Sequence, residues 1–248
     1  VSLPFGSNDL AEKFDLADEV SEKKLKALDE LLKEAFNQTP ILEKAEGLPV
    51  IGVGGTIRNV GRIHRSFNDY PMEIAHNYRM GSNDVKRICE MAASMNLAER
   101  SNLKGLSKGR IDIFVGSSHT LERVMKHIDS PELIISNAGL RDGIIYDYFG
   151  YNEDNLVYDI FELSLANIML NFNVNIPHAY HVLKLTENLF EQLKPLHGIK
   201  EDVRKMIRAA AMLHDVGIKL QFGNHHEHSF YIILNSGLLG IEQKELLM

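Results

Sequence analysis

The sequence predicts two folds in series, α/β over residues 1–150 and all-α over 151–248. Three observations carry that expectation. Val50–Phe67 (VIGVGGTIRNVGRIHRSF) reads as a short buried strand, a glycine turn and an amphipathic helix. The same succession returns at Leu133–Tyr148, where an apolar strand runs into the small-residue turn SNAGLRDG and a helix. Beyond a polar break at Gly150–Leu156 (GYNEDNL), almost every apolar run has helical spacing.

The 248 residues suit one large or two modest domains, and 44% hydrophobic content is enough for real cores. A net charge of -7 argues against a general nucleic-acid or anionic-membrane binder. The charge is uneven. Residues 50–130 hold 8 acidic and 12 basic side chains, the only net-positive segment, so the first glycine turn lies where an anion is favoured. Cys89 is alone, which excludes an internal disulfide and points to a reducing, cytoplasmic compartment. No apolar run approaches the length of a membrane span, and no signal peptide is visible. Val1 in place of Met, followed by the strand-like SLPFG, suggests a cut made inside a larger protein.

In chain order, Ser2–Phe14 is expected to give a strand end, a Pro-Phe-Gly turn and a polar connection. Ser21–Phe36 is an amphipathic helix capped by Ser21, with Leu25, Leu28, Leu31, Leu32, Ala35 and Phe36 on one stripe. Val50, Ile51 and Val53 supply the first strand. Gly52, Gly54 and Gly55 allow backbone angles and close approaches that larger residues resist. Thr56 is expected to cap the helix that follows. Ile57, Val60, Ile63 or His64, and Phe67 form its buried face, while Arg58, Arg62 and Arg65 share a basic one. Free amides at a helix N-terminus beside arginines make an anion site. The alternative is a tight connection with a solvated arginine face.

Pro71–Met80 reads as an extended or irregular connection, and Ser82-Asn83-Asp84 opens a helix carrying Val85, Ile88, Met91, Ala92 and Met95. Lys104–Asp112 is basic and glycine-punctuated, and Ile111–Met125 holds an apolar helical pattern. The second strand and turn place Arg141 at a helix start. Its planar fork suits a phosphate there, unless it pairs with Asp142 or another acid. Two such turns at the carboxyl edge of one sheet form a ligand site.

The second half is rich in histidine. His178 and His181 open one helix, His214-Asp215 ends the next, and His225, His226 and His228 follow. A histidine and a distant His-Asp pair at a helix end is one way a bundle assembles a divalent-metal site, here His178, His214 and Asp215. Glu227, Glu242 or a later histidine would complete the shell, or the fourth ligand is expected beyond Met248. The alternative is a helical domain whose histidines pack and hydrogen-bond, which is the reading for His181 and His197.

Several motifs in order, GVGGTIRNVGRIHR, SNAGLRDGIIYDYF, HAYHVLKLTENLFEQL, AAMLHDVG and HHEHSFYIILNSGLLG, resemble those of the exopolyphosphatase / guanosine pentaphosphate phosphohydrolase family. The resemblance implies part of the second lobe of an actin-like, ribonuclease-H-like fold (actin-like ATPase superfamily), then an HD-type helical domain that ends early. It also implies hydrolysis of terminal phosphate from inorganic polyphosphate or guanosine pentaphosphate, with magnesium (Mg2+), in a cleft between two lobes. Carried over by motif, Gly54, Gly55 and Thr56 line that cleft, with Arg58 on the same helix. Arg141 contacts phosphate, and His178, His214 and Asp215 match the HD pattern. The family's first lobe and catalytic glutamate have no counterpart in this sequence. The expectation is therefore a C-terminal fragment with no complete catalytic set, inactive alone, and part of a cytoplasmic homodimer.

Two other functions compete. An independent HD-type nucleotide phosphohydrolase requires a metal with an open position in the helical half. A non-catalytic dimerisation and polyphosphate-binding module could use exposed apolar segments such as Phe230–Leu239.

Overall fold

The computed structural model describes residues 2–149, 159–199 and 203–247. They form two compact units, one running to Ile144 and the other starting at Ile145. The polar break at Gly150–Leu156 lies outside the described residues.

The first unit opens with α1 (Ser7–Lys13), where the sequence suggested only a polar connection. Asp9 accepts a hydrogen bond from the Gly6 N–H at 2.8 Å and closes the first turn. Leu10 and Ala11 are buried. Gly116 lets them approach, since a Cβ there would lie 3.4 Å from Leu10 and 3.2 Å from Leu16. α2 (Glu22–Asn37) starts where Ser21 Oγ accepts from the Lys24 N–H at 3.4 Å. Its Leu28, Leu32 and Phe36 join Leu10 and Leu16 in a small core.

β1 (Val50–Val53) leads into α3 (Gly55–Phe67), and β2 (Tyr78–Gly81) into α4 (Ser82–Ser94). α5 (Leu97–Ser101), α6 (Phe114–His127), β3 (Glu132–Ser136) and α7 (Leu140–Tyr148) follow. The sheet order is β1-β3-β2. β1 and β3 are parallel, with Val53 opposite Ser136, and β2 runs antiparallel with Tyr78 opposite Ile135. Leu133 and Ile135 face the main core of Val60, Ile63, Val85, Ile88, Phe114 and Met125.

Two local expectations are corrected here. In β1 only Gly52 is buried, while Ile51 and Val53 are exposed, because the two-residue period of a strand sends them to the opposite face. A Cβ on Gly52 would lie 2.6 Å from Ile57, so the glycine makes room for the helix. On α3, Val60 and Ile63 are buried but Phe67 is exposed.

In the second unit, α8 (Ile160–Asn171), α9 (Ile176–His197), α10 (Arg204–Leu213), α11 (His225–Asn235) and α12 (Gln243–Leu246) follow in order. Phe161, Leu165, Ile168, Leu183, Leu213 and Ile232 form their common core. Asn175 caps α9 by accepting from the His178 N–H at 3.2 Å, which fixes His178 in its first turn. The segment Phe230–Leu239 divides, with Ile232 and Leu238 buried and Phe230 and Tyr231 exposed. No helix among the described residues is long and apolar enough to cross a membrane.

Candidate functional site

The parallel register fixes where the two glycine-rich turns lie. β1 and β3 end level with each other, so Gly54 and the Asn137–Gly139 turn leave the sheet at the same edge. Gly54 has φ 112° and ψ 177°, a conformation nearly closed to residues with a Cβ, and α3 begins at the next residue. The first intrahelical bond is the Arg58 N–H to the Gly54 carbonyl at 3.1 Å. The earlier amides of Gly55, Thr56 and Ile57 have no partner in the preceding turn of helix, the geometry in which such amides take an anion.

Thr56 is not the cap. The cap is Gly54, two residues earlier, and the Thr56 hydroxyl instead donates to Ser117 Oγ at 3.0 Å, tying α3 to α6. The shared arginine face also breaks up. Arg65 is buried and donates to the carbonyls of Met72, Glu73 and Ile74 at 3.0, 2.6 and 3.0 Å, so it clamps a loop. Arg62 donates to Ser107 Oγ at 3.4 Å. Arg58 stays half-buried on the first turn. Arg141 is exposed at the start of α7, where the Asp142 carboxylate accepts from the Gly139 N–H at 2.7 Å.

The helical unit gathers a second cluster. His178, His214 and Asp215 each offer a ligand atom within 4.8 Å of the others. Asp215 Oδ2 lies 3.1 Å from His214 Nε2 and 3.6 Å from His178 Nε2. One residue from the first turn of α9 and two from the end of α10 thus come together.

The family models cover both units. The Ppx/GppA phosphatase family matches residues 1–152, and domain III of Ppx/GppA phosphatases matches residues 160–248. The chain belongs to the Ppx/GppA phosphatase family.

The chain is 25% identical over 166 residues to a guanosine-5'-triphosphate,3'-diphosphate pyrophosphatase of Aeromonas salmonicida, an alignment covering 66% of this chain and 33% of that protein. Among solved structures it resembles the Ppx/GppA family member of Aquifex aeolicus (TM-score 0.51, 23% identity, 60% of this chain and 48% of that one). It also resembles an exopolyphosphatase of Cytophaga hutchinsonii (TM-score 0.52, 18% identity, 60% and 49%). The chain therefore spans about a third of the curated relative and about half of these solved chains.

Within this Ppx/GppA unit one residue joins the glycine turn that the sequence did not single out. The Arg110 guanidinium occupies the place a Cβ on Gly55 would take, so it lies flat against the start of α3. Its loop is held from three sides. Ser107 Oγ donates to Asn59 Oδ1 at 2.8 Å, and the fully buried Arg100 donates to the Ile111 carbonyl at 3.0 Å. Gly105, at φ 99°, approaches so closely that a Cβ would lie 2.6 Å from the Ile63 nitrogen. The basic, glycine-punctuated run Lys104–Asp112 was the signal in the sequence, but nothing local pairs Arg110 with Gly55.

A concavity of about 570 Å³ between α2, α4 and α6 is lined by Lys86, His119, Glu122, Arg123 and Lys126 among others. Its charges close on one another: Asp29 takes both His119 Nε2 and Arg123 Nε at 2.7 Å. That arrangement braces α2 against α6.

Proposed function

We propose that this chain supplies the phosphate-binding side of a phosphoanhydride hydrolase acting on inorganic polyphosphate or guanosine pentaphosphate. The observation that carries the reading is the guanidinium of Arg110 laid against Gly55 at a helix N-terminus. There the Gly55, Thr56 and Ile57 amides hold a terminal phosphate, and Gly54, in a conformation open to glycine, lets that phosphate approach the backbone. Arg58 and Arg110 neutralise its charge, and Arg141 approaches from the second turn at the same sheet edge. Donors fixed before the reaction stabilise charge that grows on phosphoryl oxygens as the bond breaks. These residues bind and orient. The group that activates water is not among them, and Mg2+, the metal the family resemblance implies, would supply further charge neutralisation when bound.

The preference of relatives is divided, since one is named a pentaphosphate pyrophosphatase and another an exopolyphosphatase. The test is phosphate release from both substrates by a longer protein that contains this chain. Arg110→Ala and Arg141→Ala should each lower kcat by about a hundredfold, a loss typical of one charge-stabilising donor, while His214→Ala leaves it near the parent value. Activity indifferent to both arginine changes would refute the reading.

A second reading is favoured by the convergence of His178, His214 and Asp215. In it the helical unit is an HD-type metal centre with hydrolytic chemistry of its own. Metal content of the purified chain, and its loss in His214→Ala and Asp215→Ala, tests that reading.

A further inference from the structure

One buried side chain on α3 is short of a hydrogen bond. Asn59 is 1% exposed, and its Nδ2 finds no acceptor among the described residues. Its Oδ1 accepts from the Ser107 hydroxyl at 2.8 Å. A buried donor left unpaired lowers stability, and asparagine is a poor residue for a helix interior. Leucine has the same branched outline, carries no orphaned donor and favours the helix. Stability of the fold does not account for Asn59.

What the amide does hold is the segment that carries Arg110. Ser107–Arg110 folds into a tight turn, closed by the Arg110 N–H donating to the Ser107 carbonyl at 3.0 Å. One end of that turn rests on Asn59 through Ser107, and the other lays the Arg110 guanidinium over Gly55. Gly55 and Asn59 are four residues apart, so they share a face of α3 and stand about 6 Å apart along its axis. Arg62 Nη1 donates to the same Ser107 Oγ at 3.4 Å, which leaves the hydroxyl hydrogen for Asn59. At the far end, the Arg110 guanidinium has no hydrogen-bond or ion-pair partner among the described residues. It is held in place by the turn behind it.

We propose that Asn59 is a positioning residue for phosphate binding, which through Ser107 keeps the Arg110 guanidinium over the glycine turn. The proposal rests on reading that turn as the phosphate site. An arginine loses rotamer freedom when it grips an anion, and a support fixed beforehand removes part of that cost from the binding step. Asn59 thus weakens the fold and strengthens the site.

The test is calorimetric titration of the full chain with tripolyphosphate at low salt, paired with denaturant unfolding. Asn59→Leu should weaken binding by about threefold to tenfold, the worth of one hydrogen bond, while the unfolding midpoint stays or rises. In that variant the Arg110 Nε–H resonance should move or broaden before any phosphate is added. Ser107→Ala should give the same loss of affinity, and combining it with Asn59→Leu should add nothing. A midpoint that falls together with the affinity would make Asn59 a structural residue and overturn the proposal. Binding unchanged in Asn59→Leu but weakened in Arg110→Ala overturns the role of Asn59 alone. Tripolyphosphate bound equally by the parent and Arg110→Ala overturns the phosphate reading beneath it. NMR of the parent chain needs no substitution: the Asn59 side-chain amide must shift with the Arg110 Nε–H during the titration, and an unmoved amide refutes the role even if Asn59→Leu fails to fold.

Discussion

Two neighbouring glycines should respond to the same substitution in opposite ways. Gly54 has φ 112° and nothing within 4 Å of a Cβ built on it, so Gly54→Ala meets no neighbour and suffers only the backbone cost. That cost is about 1–3 kcal/mol for a residue held in a glycine-only region. Gly55 is helical, and the atoms nearest a Cβ built on it are those of the flexible Arg110 guanidinium. Gly55→Ala should therefore leave stability unchanged or raise it by up to about 1 kcal/mol, by restricting the unfolded chain. It must, however, push the guanidinium off the turn. Losing a charge-assisted contact of about 1.5–2 kcal/mol weakens binding by about tenfold to thirtyfold. Denaturant unfolding gives the first quantity, and calorimetric titration with tripolyphosphate at low salt gives the second. Arg110→Ala should reproduce the affinity loss, and the double variant should add nothing to it, because both changes remove one contact. If Gly55→Ala binds tripolyphosphate as tightly as the parent while Arg110→Ala does not, the displacement argument is wrong. If neither weakens binding, Arg110 has no part in the site.

Other consequences are open to measurement. Gly217→Ala should destabilise the helical unit by about 2–3 kcal/mol through overpacking against α11; a variant with parent stability would show that α11 does not approach as described. Burial pushes the Cys89 thiol up to about 12. At pH 8 about one thiol in ten thousand is then ionised, so native protein should resist alkylation until it unfolds; rapid native labelling would contradict this. Burial also lowers the pKa of His64, against a partly opposing pull from Asp84, and lowers that of His76. Both histidines take up protons more readily when unfolded, so their contribution to stability is full above about pH 6.5 and is lost as the pH falls below it. Denaturant midpoints at pH 7.5 and 5.5, with His76→Asn to flatten the difference, check the sign.

What the sequence made legible follows from whether the cause is local. The helix at Ser21 announces itself through a cap and a leucine stripe, and both strand–turn–helix units through glycine and apolar runs. The meeting of His178 with His214-Asp215 was legible too, because His178 is set by the Asn175 cap and His214-Asp215 by the end of α10. What escaped depends on partners distant in sequence. α1 exists because Leu10 and Ala11 find Gly116, and β2 because Tyr78–Gly81 pairs with β3. Arg65 looked like a solvated charge until the carbonyls of Met72–Ile74 closed around it. Arg110 reaches the glycine turn through loop packing that no period in the sequence encodes.

The central claim is that phosphate binds where Gly54 turns into α3, with Arg110 beside it. Amide NMR of the chain during titration with tripolyphosphate tests it most directly. The account predicts the largest shifts at Gly55, Thr56 and Ile57 and at the side-chain N–H of Arg110, saturating together. Shifts that gather instead around Arg62 and Lys104, with the glycine turn unmoved, would contradict it.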